Sequence, residues 1–205
     1  RIRLVAATDM SVMIFGENGT GKEHIAHHLH DKSKRAGKPF VAVDCGSLTK
    51  ELAPSAFFGH VKGAFTGADS TKKGYFYEAE GGTLFLDEVG NLALETQQML
   101  LRAIQERRYR PIGDKSDRSF NVRIIAATNE DLEAAVSEKR FRQDLFYRLH
   151  DFGITVPPLR DCQEDILPLA EFFREIANKE LECNVSGFSS EARKALLTHA
   201  WPGNV

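Results

Sequence analysis

The feature that most constrains the fold is a glycine-rich octapeptide, GENGTGKE, that stands between an apolar run and a helical stretch. The preceding SVMIF is rich in strand formers, and the following KEHIAHHLHDKSKRAG predicts a helix closed by Gly37. A strand, a G-x-x-x-x-G-K turn and a helix in succession are typical of a phosphate-binding loop, because backbone N–H groups and the helix N-terminus converge on phosphate oxygens. An ordinary glycine turn is the less favoured interpretation.

This loop also supplies charge. Lys22 carries its positive charge toward the β- and γ-phosphates of a nucleotide. Glu23 stands where most phosphate loops have Ser or Thr, so the usual hydroxyl ligand for Mg²⁺ is missing. The residues predicted to bind the nucleotide are Gly16, Glu17, Asn18, Gly19, Thr20, Gly21, Lys22 and Glu23.

Strands and helices alternate along the chain as far as Pro157. Four more strands are predicted in PFVAVDC, TLFLDEVG, VRIIAAT and DFGITV, and helices in LETQQMLLRAIQER, LEAAVSE and FRQDLFYRL. This alternation predicts an α/β fold with a parallel five-stranded sheet between helices. Beyond Pro158 only helices are predicted, in EDILPLAEFFREIANKE and SSEARKALLTHA. We therefore expect an α/β nucleotide-binding subdomain over residues 1–157 and an all-α subdomain over residues 158–205.

Composition excludes several classes of protein. The formal net charge is −2 over 205 residues, which gives no support for a whole-molecule attraction to nucleic acid or to a membrane. Three widely spaced cysteines argue against a disulfide framework and a structural zinc site, and favour a cytoplasmic setting. No apolar run approaches the ~20 residues that cross a bilayer. The chain begins at Arg1 and stops within HAWPGNV, so we expect an excised domain.

Two predicted strands end in polar side chains suited to phosphate chemistry. TLFLDE places Asp87 and Glu88 at the carboxyl edge of the sheet, where open α/β folds bind ligands. Asp87 would hold Mg²⁺, and Glu88 would orient and polarise an attacking water. Thr128 and Asn129 end the next strand and could sense the γ-phosphate; a polar cap of the strand end is the alternative.

Two further features have no single interpretation from the residues alone. Arg142 and Arg148 lie six positions apart in FRQDLFYRL, so on a helix they would not share a face. One could reach a nucleotide while the other contacts a neighbouring molecule, although solvated arginines are the commoner case. His24, His27 and His28 have helical spacing, and a helix surface is favoured there over a metal site.

The stretch GHVKGAFTGADS, residues 59–70, fits neither a helix nor a strand. Each interior glycine would cost a helix about 1 kcal/mol relative to alanine, and the residues do not alternate as in a half-buried strand. One large apolar side chain, Phe65, stands between glycines that give the backbone unusual freedom. An exposed aromatic side chain is costly unless it anchors a partner.

These motifs, together with AATN, PPLR and WPGNV, resemble in order and spacing the AAA+ central domain of sigma-54-dependent transcriptional activators, the NtrC-like bacterial enhancer-binding proteins. The resemblance covers nearly the whole chain, and GAFTGA is its most specific element because other P-loop ATPases lack it. It implies an AAA+ P-loop domain with a helical lid, C-terminally truncated here. It also implies hydrolysis of Mg·ATP by a ring of subunits, usually a hexamer, in an activator of the two-component type.

The same resemblance implies roles for several residues. The GAFTGA loop would engage sigma-54 in the RNA polymerase holoenzyme through Phe65 and Thr66, and residues 105–120 would form a second moving loop. Arg142 and Arg148 match arginine fingers that reach the nucleotide site of the next subunit. Promoter or enhancer DNA would be bound only through domains outside this chain. The loop predicted to bind the partner comprises Gly63, Ala64, Phe65, Thr66, Gly67 and Ala68.

One departure from the family pattern bears on catalysis. Asp44 stands where the family more often has an asparagine that holds the equivalent of Glu88 in an inactive pose. Two alternatives therefore accompany the ATPase prediction. The chain could be a nucleotide-dependent interaction module without efficient turnover, or another AAA+ remodelling ATPase such as a helicase loader.

Overall fold

The computed structural model describes residues 2–205, which form two compact units. The first contains the chain up to Phe15 and Lys22–Thr155, and the second contains Gly16–Gly21 and Val156–Val205. The residues of the phosphate-binding motif are thus divided between the two units, with Lys22 in the first.

The strands are, in chain order, β1 (Val12–Phe15), β2 (Phe40–Asp44), β3 (Thr83–Asp87), β4 (Arg108–Tyr109), β5 (Arg118–Ser119), β6 (Arg123–Thr128) and β7 (Phe152–Thr155). The helices are α1 (Ile2–Ala6), α2 (Lys22–Asp31), α3 (Ala53–Phe58), α4 (Tyr75–Glu78), α5 (Leu94–Glu106), α6 (Leu132–Ser137), α7 (Gln143–Leu149), α8 (Gln163–Glu180) and α9 (Ser190–Thr198).

The first unit is built on a five-stranded sheet with the order β2-β3-β6-β1-β7 and all neighbours parallel. The predicted α/β fold with a parallel five-stranded sheet is confirmed. The inner strands β3 and β6 are almost continuously apolar because a parallel sheet is covered on both faces, and Leu84, Leu86 and Ile125 are fully buried. Strands β4 and β5 were not predicted; they form a separate antiparallel pair.

The register of the sheet brings the ends of all five strands to one edge. Phe15 of β1 pairs with Thr128 of β6 and with Thr155 of β7. Asp44 of β2 pairs with Asp87 of β3. The phosphate-loop residues follow Phe15 directly, so the chain enters that loop from the same edge that carries Asp44 and Asp87.

Helix α2 is shorter than the sequence pattern predicts. It ends at Asp31 instead of Gly37, and the chain then forms successive turns, with the N–H of Ala36 donating to the carbonyl of Ser33. The reason lies in Arg35, which is buried and donates hydrogen bonds to the carbonyl of Gly82 and to the side chain of Asn121. These tertiary hydrogen bonds stabilise the turns more than further backbone hydrogen bonds would stabilise a longer helix.

The second unit contains α8 and α9, the two helices predicted for the lid. The indole N–H of Trp201 donates to the carbonyl of Leu196 at 2.9 Å and so fixes the segment after α9. Among the helices of residues 2–205, none combines the length and the apolar character that crossing a bilayer requires.

Candidate functional site

In the second unit, the glycines of the phosphate-binding motif have the backbone that such a loop requires. Gly19 and Gly21 have φ of 75° and 81°, in the left-handed region that favours glycine. A Cβ on Gly19 would lie 2.1 Å from the carbonyl oxygen of Gly203, and the carbonyl of Gly19 accepts from the N–H of Val205 at 3.2 Å. The WPGNV segment therefore packs against this loop, and no other residue fits at position 19.

Glu17 is held by residues from two motifs to which the sequence assigned no role. Its carboxylate accepts two hydrogen bonds from Arg160 of PPLR, at 2.8 and 2.5 Å. Asn204 of WPGNV donates to Glu17 at 3.3 Å and to the carbonyl of Asn18 at 2.8 Å, and accepts from the N–H of Leu159 at 2.8 Å. The hydrogen bonds from Arg160, and then Asn204, lower the pKa of Glu17 to about 2.

A cavity of about 180 Å³ adjoins the loop within the second unit. Gly19 and Thr20 form one side of it, and Val156, Leu159 and Leu169 supply apolar surface. A small, mainly apolar cavity beside a phosphate-binding backbone is suited to a planar base attached to the phosphates.

In the first unit, α2 opens with the two charged residues of the motif. The side chain of Lys22 is buried, whereas Glu23 is exposed and its carboxylate lies 3.9 Å from His27. His27 stacks on Phe40 with the ring centroids 3.9 Å apart. Within residues 2–205, no three His, Cys, Asp or Glu side chains are grouped to hold a metal ion.

At the carboxyl edge of the sheet, Asp87 is half-buried and its Oδ1 accepts from the N–H of Glu88 at 2.9 Å. In the described part of the chain, Asp87 Oδ2 has no hydrogen-bond partner. Mg²⁺ is typically bound in nucleotide sites by one or two carboxylates together with the phosphates, and it does not need an all-protein cage. Asp87 therefore fits the role predicted for it.

Glu88 has a strained backbone and a defined side-chain partner. Its φ of 50° and ψ of 44° are left-handed, a conformation that costs a residue other than glycine about 1–3 kcal/mol and is found mainly at functional sites. Its Oε2 accepts from Asn91 Nδ2 at 3.0 Å. Asn91 lies three residues after Glu88, at the end of a short 3₁₀ turn over Val89–Asn91, and was not singled out in the sequence.

Asp44 does not bond to Glu88. Its Oδ1 accepts from the N–H of Gly46 at 2.8 Å and so caps the 3₁₀ turn Cys45–Ser47 that follows β2. The carboxylate of Glu88 lies above Gly46, where a Cβ would come 2.5 Å from Oε2. Asp44, Asp87 and Glu88 are thus grouped at one edge of the sheet, where the sequence placed Asp87 and Glu88.

The remaining predicted catalytic residues lie around this edge and on α7. Thr128 is buried and its hydroxyl accepts from the N–H of Glu130, while Asn129 is exposed. Arg142 precedes α7 as its N-cap and pairs with Asp144 through two hydrogen bonds of 3.0 and 2.8 Å. Arg148 is exposed in the last turn of α7.

Gln97 is a buried polar residue that sequence reasoning missed. Its Nε2 donates to the carbonyls of Leu92 and Arg140, and its Oε1 accepts from the N–H of Arg142 at 2.8 Å. One side chain on α5 thereby joins the turn that follows Glu88 to the segment that carries Arg142. The only signal in the sequence is a glutamine within an apolar helical face.

The GAFTGA loop is folded and closed at its base. The N–H of Gly63 donates to the carbonyl of Ala68 at 2.8 Å, and both Gly63 and Gly67 have positive φ, of 80° and 94°. Phe65 is 45% exposed, and its ring meets that of His60 edge-on with the centroids 5.0 Å apart. The aromatic side chain is therefore available to a partner while one side of it packs on the protein.

The second loop predicted to move, residues 105–120, is joined to the base of the first. It contains the antiparallel pair β4–β5. Between these two strands, Ile112 bonds to the segment that leads into the first loop: its N–H donates to the carbonyl of Gly59, and its carbonyl accepts from the N–H of Val61. Gly113 packs so closely on Ala64 that a Cβ there would lie 2.7 Å from that methyl group. A displacement of one loop would therefore displace the other.

The chain matches two family models over nearly its whole length. Residues 1–155 match the Sigma-54 interaction domain, and residues 160–205 match the AAA+ ATPase lid domain.

Individual relatives agree with these matches. The transcriptional regulatory protein ZraR of Klebsiella oxytoca is 50% identical over 204 residues, 100% of this chain and 46% of ZraR. The Sigma54-dependent transcriptional activator SfnR of Pseudomonas putida is 47% identical over 204 residues, 56% of SfnR. The chain thus spans about half the length of the curated relatives it matches. Crystal structures of NtrX from Brucella abortus with ADP and with ATP give TM-scores of 0.92 and 0.90 at 36% identity, covering 99% of this chain and 44% and 46% of NtrX.

Proposed function

Because the chain belongs to the Sigma-54 interaction domain family, we propose that it is the ATP-hydrolysing motor of a sigma-54-dependent transcriptional activator. The observation that carries the proposal is the register of the sheet. One edge carries Asp87 and Glu88 at the end of β3, and the chain leaves that same edge at Phe15 to enter the phosphate-binding motif.

In this proposal the nucleotide is ATP, in keeping with the ADP and ATP complexes of NtrX. The backbone of residues 16–21 and the ammonium group of Lys22 bind the phosphates. Asp87 holds Mg²⁺, which neutralises charge on the phosphates when bound. Glu88 orients the attacking water and Asn129 contacts the γ-phosphate. The base enters the cavity beside Gly19 and Thr20.

We assign Arg142 and Arg148 to the nucleotide site of a neighbouring subunit in a ring, most simply a hexamer. Support comes from their position on and before α7: Arg148 is exposed, and Arg142 pairs with Asp144 and not with a carboxylate of the β3 edge. An arginine supplied by a neighbour stabilises the charge that develops on the phosphate and contributes about 10³- to 10⁵-fold to turnover. Hydrolysis would therefore depend on assembly.

The partner is the sigma-54 RNA polymerase holoenzyme, engaged through Phe65 and Thr66 of the GAFTGA loop. ATP hydrolysis would move this loop together with the hairpin that Ile112 bonds to its base, and so remodel the holoenzyme. Binding to promoter or enhancer DNA is left to domains outside this chain. Because the relatives are bacterial transcriptional regulators, the setting is the bacterial cytoplasm.

The first test is the rate of ATP hydrolysis per subunit over a wide range of protein concentration. We expect the rate to climb with concentration, and to be lost in Lys22→Ala and Glu88→Gln. Arg148→Ala should lower kcat by about 10³-fold or more while ATP binding persists. A flat, negligible rate despite ATP binding would instead support a nucleotide-dependent interaction module.

The second test separates a sigma-54 activator from another AAA+ remodelling ATPase. Binding to purified sigma-54 is measured with a non-hydrolysable ATP analogue for Phe65→Ala and for Phe172→Ala, which removes a comparably exposed phenylalanine from α8. Loss of binding in the first variant only would support the GAFTGA contact. Equal binding by wild type and Phe65→Ala would contradict it.

A further inference from the structure

The carboxylate of Glu88 lies on the wrong side of its strand for the chemistry proposed for it. In the sheet order β2-β3-β6-β1-β7, β2 is on one side of β3, and β1, which continues into the phosphate-binding loop, is on the other. Glu88 Oε2 lies above Gly46, just beyond the end of β2. The side chain is therefore turned away from the strand that leads to the phosphates.

Asn91 holds the carboxylate in this position. Its Nδ2 donates to Glu88 Oε2 at 3.0 Å, and among residues 2–205 no other side chain donates a hydrogen bond to that carboxylate. The donor is preorganised because the N–H of Asn91 also donates to the carbonyl of Glu88 at 3.0 Å, which closes the 3₁₀ turn between them. The left-handed backbone of Glu88 starts this turn, so a change of pose needs only a rotation of the Glu88 side chain.

Asp44 does not hold the Glu88 carboxylate in the way that Asn91 does. The Asp44 carboxylate has no hydrogen-bond donor, and its Oδ1 already accepts from the N–H of Gly46. A side chain at position 46 would displace the Glu88 carboxylate, and glycine leaves the space for it. Asp44 Oδ1 lies 3.2 Å from the point where a Gly46 Cβ would stand, so an amide at position 44 would come close to the same carboxylate.

We propose that Asn91 is a positioning residue that keeps Glu88 in a resting pose, turned toward Gly46, and releases it for hydrolysis. The inference rests on the proposed function, in which Glu88 acts on the attacking water. A hydrogen bond to a charged group biases the two poses by about tenfold. Asn91 therefore lowers the basal turnover without contributing to nucleotide binding.

The test compares steady-state ATP hydrolysis of the full chain in wild type, Asn91→Ala and Asn91→Asp. Alanine removes the donor, and aspartate keeps the shape but places a like charge beside Glu88. Both variants should raise basal kcat by about 3- to 10-fold with little change in KM for ATP. Ser47→Ala is the matched control because Ser47 bonds to the carbonyl of Asp44 in the adjoining turn and does not touch Glu88.

A swap provides the sharper test. Asp44→Asn in the Asn91→Ala background supplies an amide from the other side of the carboxylate and should return kcat toward the wild-type value. A purely structural role for Asn91 would not be rescued in this way, and thermal unfolding midpoints check that all variants remain folded. If Asn91→Ala and Asn91→Asp leave kcat unchanged or lower it, the inference is overturned.

One further variant, Glu88→Gln, distinguishes an error about Asn91 from an error about Glu88. If Glu88→Gln abolishes hydrolysis while both Asn91 variants behave as wild type, only the role of Asn91 is wrong. If Glu88→Gln hydrolyses ATP as wild type does, the proposed role of Glu88 fails, and the inference about Asn91 fails with it.

Discussion

At the scale of single residues, each unit has its own set of partnered polar groups. In the first unit, Glu88 keeps a left-handed backbone and accepts a hydrogen bond from Asn91. In the second unit, Glu17 is bonded to Arg160 and Asn204. A backbone as strained as that of Glu88 is found mainly at functional sites. By contrast, Thr96 has its hydroxyl buried without any hydrogen-bond partner in the part of the chain that the structure describes.

The orphan hydroxyl of Thr96 leads to a stability prediction. An unpaired buried hydroxyl costs about 1–3 kcal/mol, and valine has nearly the same shape. Thr96→Val should therefore raise the free energy of unfolding by about 1 kcal/mol, measured by urea denaturation. Thr83→Val is the matched control, because Thr83 is equally buried but its hydroxyl bonds to His30 Nδ1 at 2.9 Å; this change should lower stability by about 1 kcal/mol. The same sign for both changes would contradict the prediction.

At the scale of helices and strands, the sequence was informative where burial dominates. All five sheet strands lie where apolar runs predicted them. The inner strands β3 and β6 gave the clearest runs, because a strand covered on both faces has to be continuously apolar. The short helices α3 and α4 were not predicted, because segments of 6 and 4 residues are too short to show a helical period. Helix α2 ends early because Arg35 bonds to residues remote in the chain, which local patterns cannot show.

For the candidate site, residue types at strand ends could be predicted, whereas the contacts between them could not. Asp87 and Glu88 follow an apolar strand, a pattern visible in the sequence. That Asp44 caps its own turn, while Asn91 bonds to Glu88, depends on the geometry of two short 3₁₀ turns. The assignment of individual site residues to catalysis stays a prediction until the variants above are measured.

Helix α5 carries the prediction that belongs to this scale. Gln97 satisfies three backbone groups that lie in two other segments, so Gln97→Leu leaves them without partners in a buried setting. The free energy of unfolding should fall by about 2–3 kcal/mol. Gln98→Leu changes the neighbouring, exposed glutamine and should stay within about 0.5 kcal/mol of wild type. Equal losses in the two variants would show that Gln97 contributes no more than a surface residue.

At the scale of the whole molecule, the phosphate-binding residues 16–21 group with the C-terminal helical segment and not with the sheet unit. Two side chains account for much of this grouping. Arg160 binds the carboxylate of Glu17, and Asn204 bonds to both Glu17 and Asn18. The loop that would hold the phosphates is therefore held in place by the PPLR and WPGNV motifs. This contact explains what both motifs do in the structure.

This arrangement predicts a specific dependence of stability on pH. The pKa of Glu17 falls from its ordinary 4.5 to about 2 in the folded chain, mainly through Arg160, so the carboxylate is charged more readily folded than unfolded. The stabilisation is complete above about pH 4.5 and is lost as the pH falls toward 2. In Arg160→Ala, the thermal midpoint should be lower than in wild type at neutral pH, and the two should converge in acid. Because the Arg160–Glu17 ion pair is partly exposed, added salt should reduce the difference in thermal midpoint between wild type and Arg160→Ala at neutral pH.

Glu17→Gln isolates the carboxylate from the rest of this cluster. The amide cannot titrate but keeps the size of the side chain, so the variant should lack this component of the acid dependence. In that background, Arg160→Ala should lower the midpoint by the same amount at every pH, since no titrating partner remains. A wild type and an Arg160→Ala variant with parallel midpoint curves from neutral pH to pH 2 would mean that Arg160 does not hold Glu17 in solution. The loop would then depend on Asn204 and on the close packing of Gly19 against Gly203 alone.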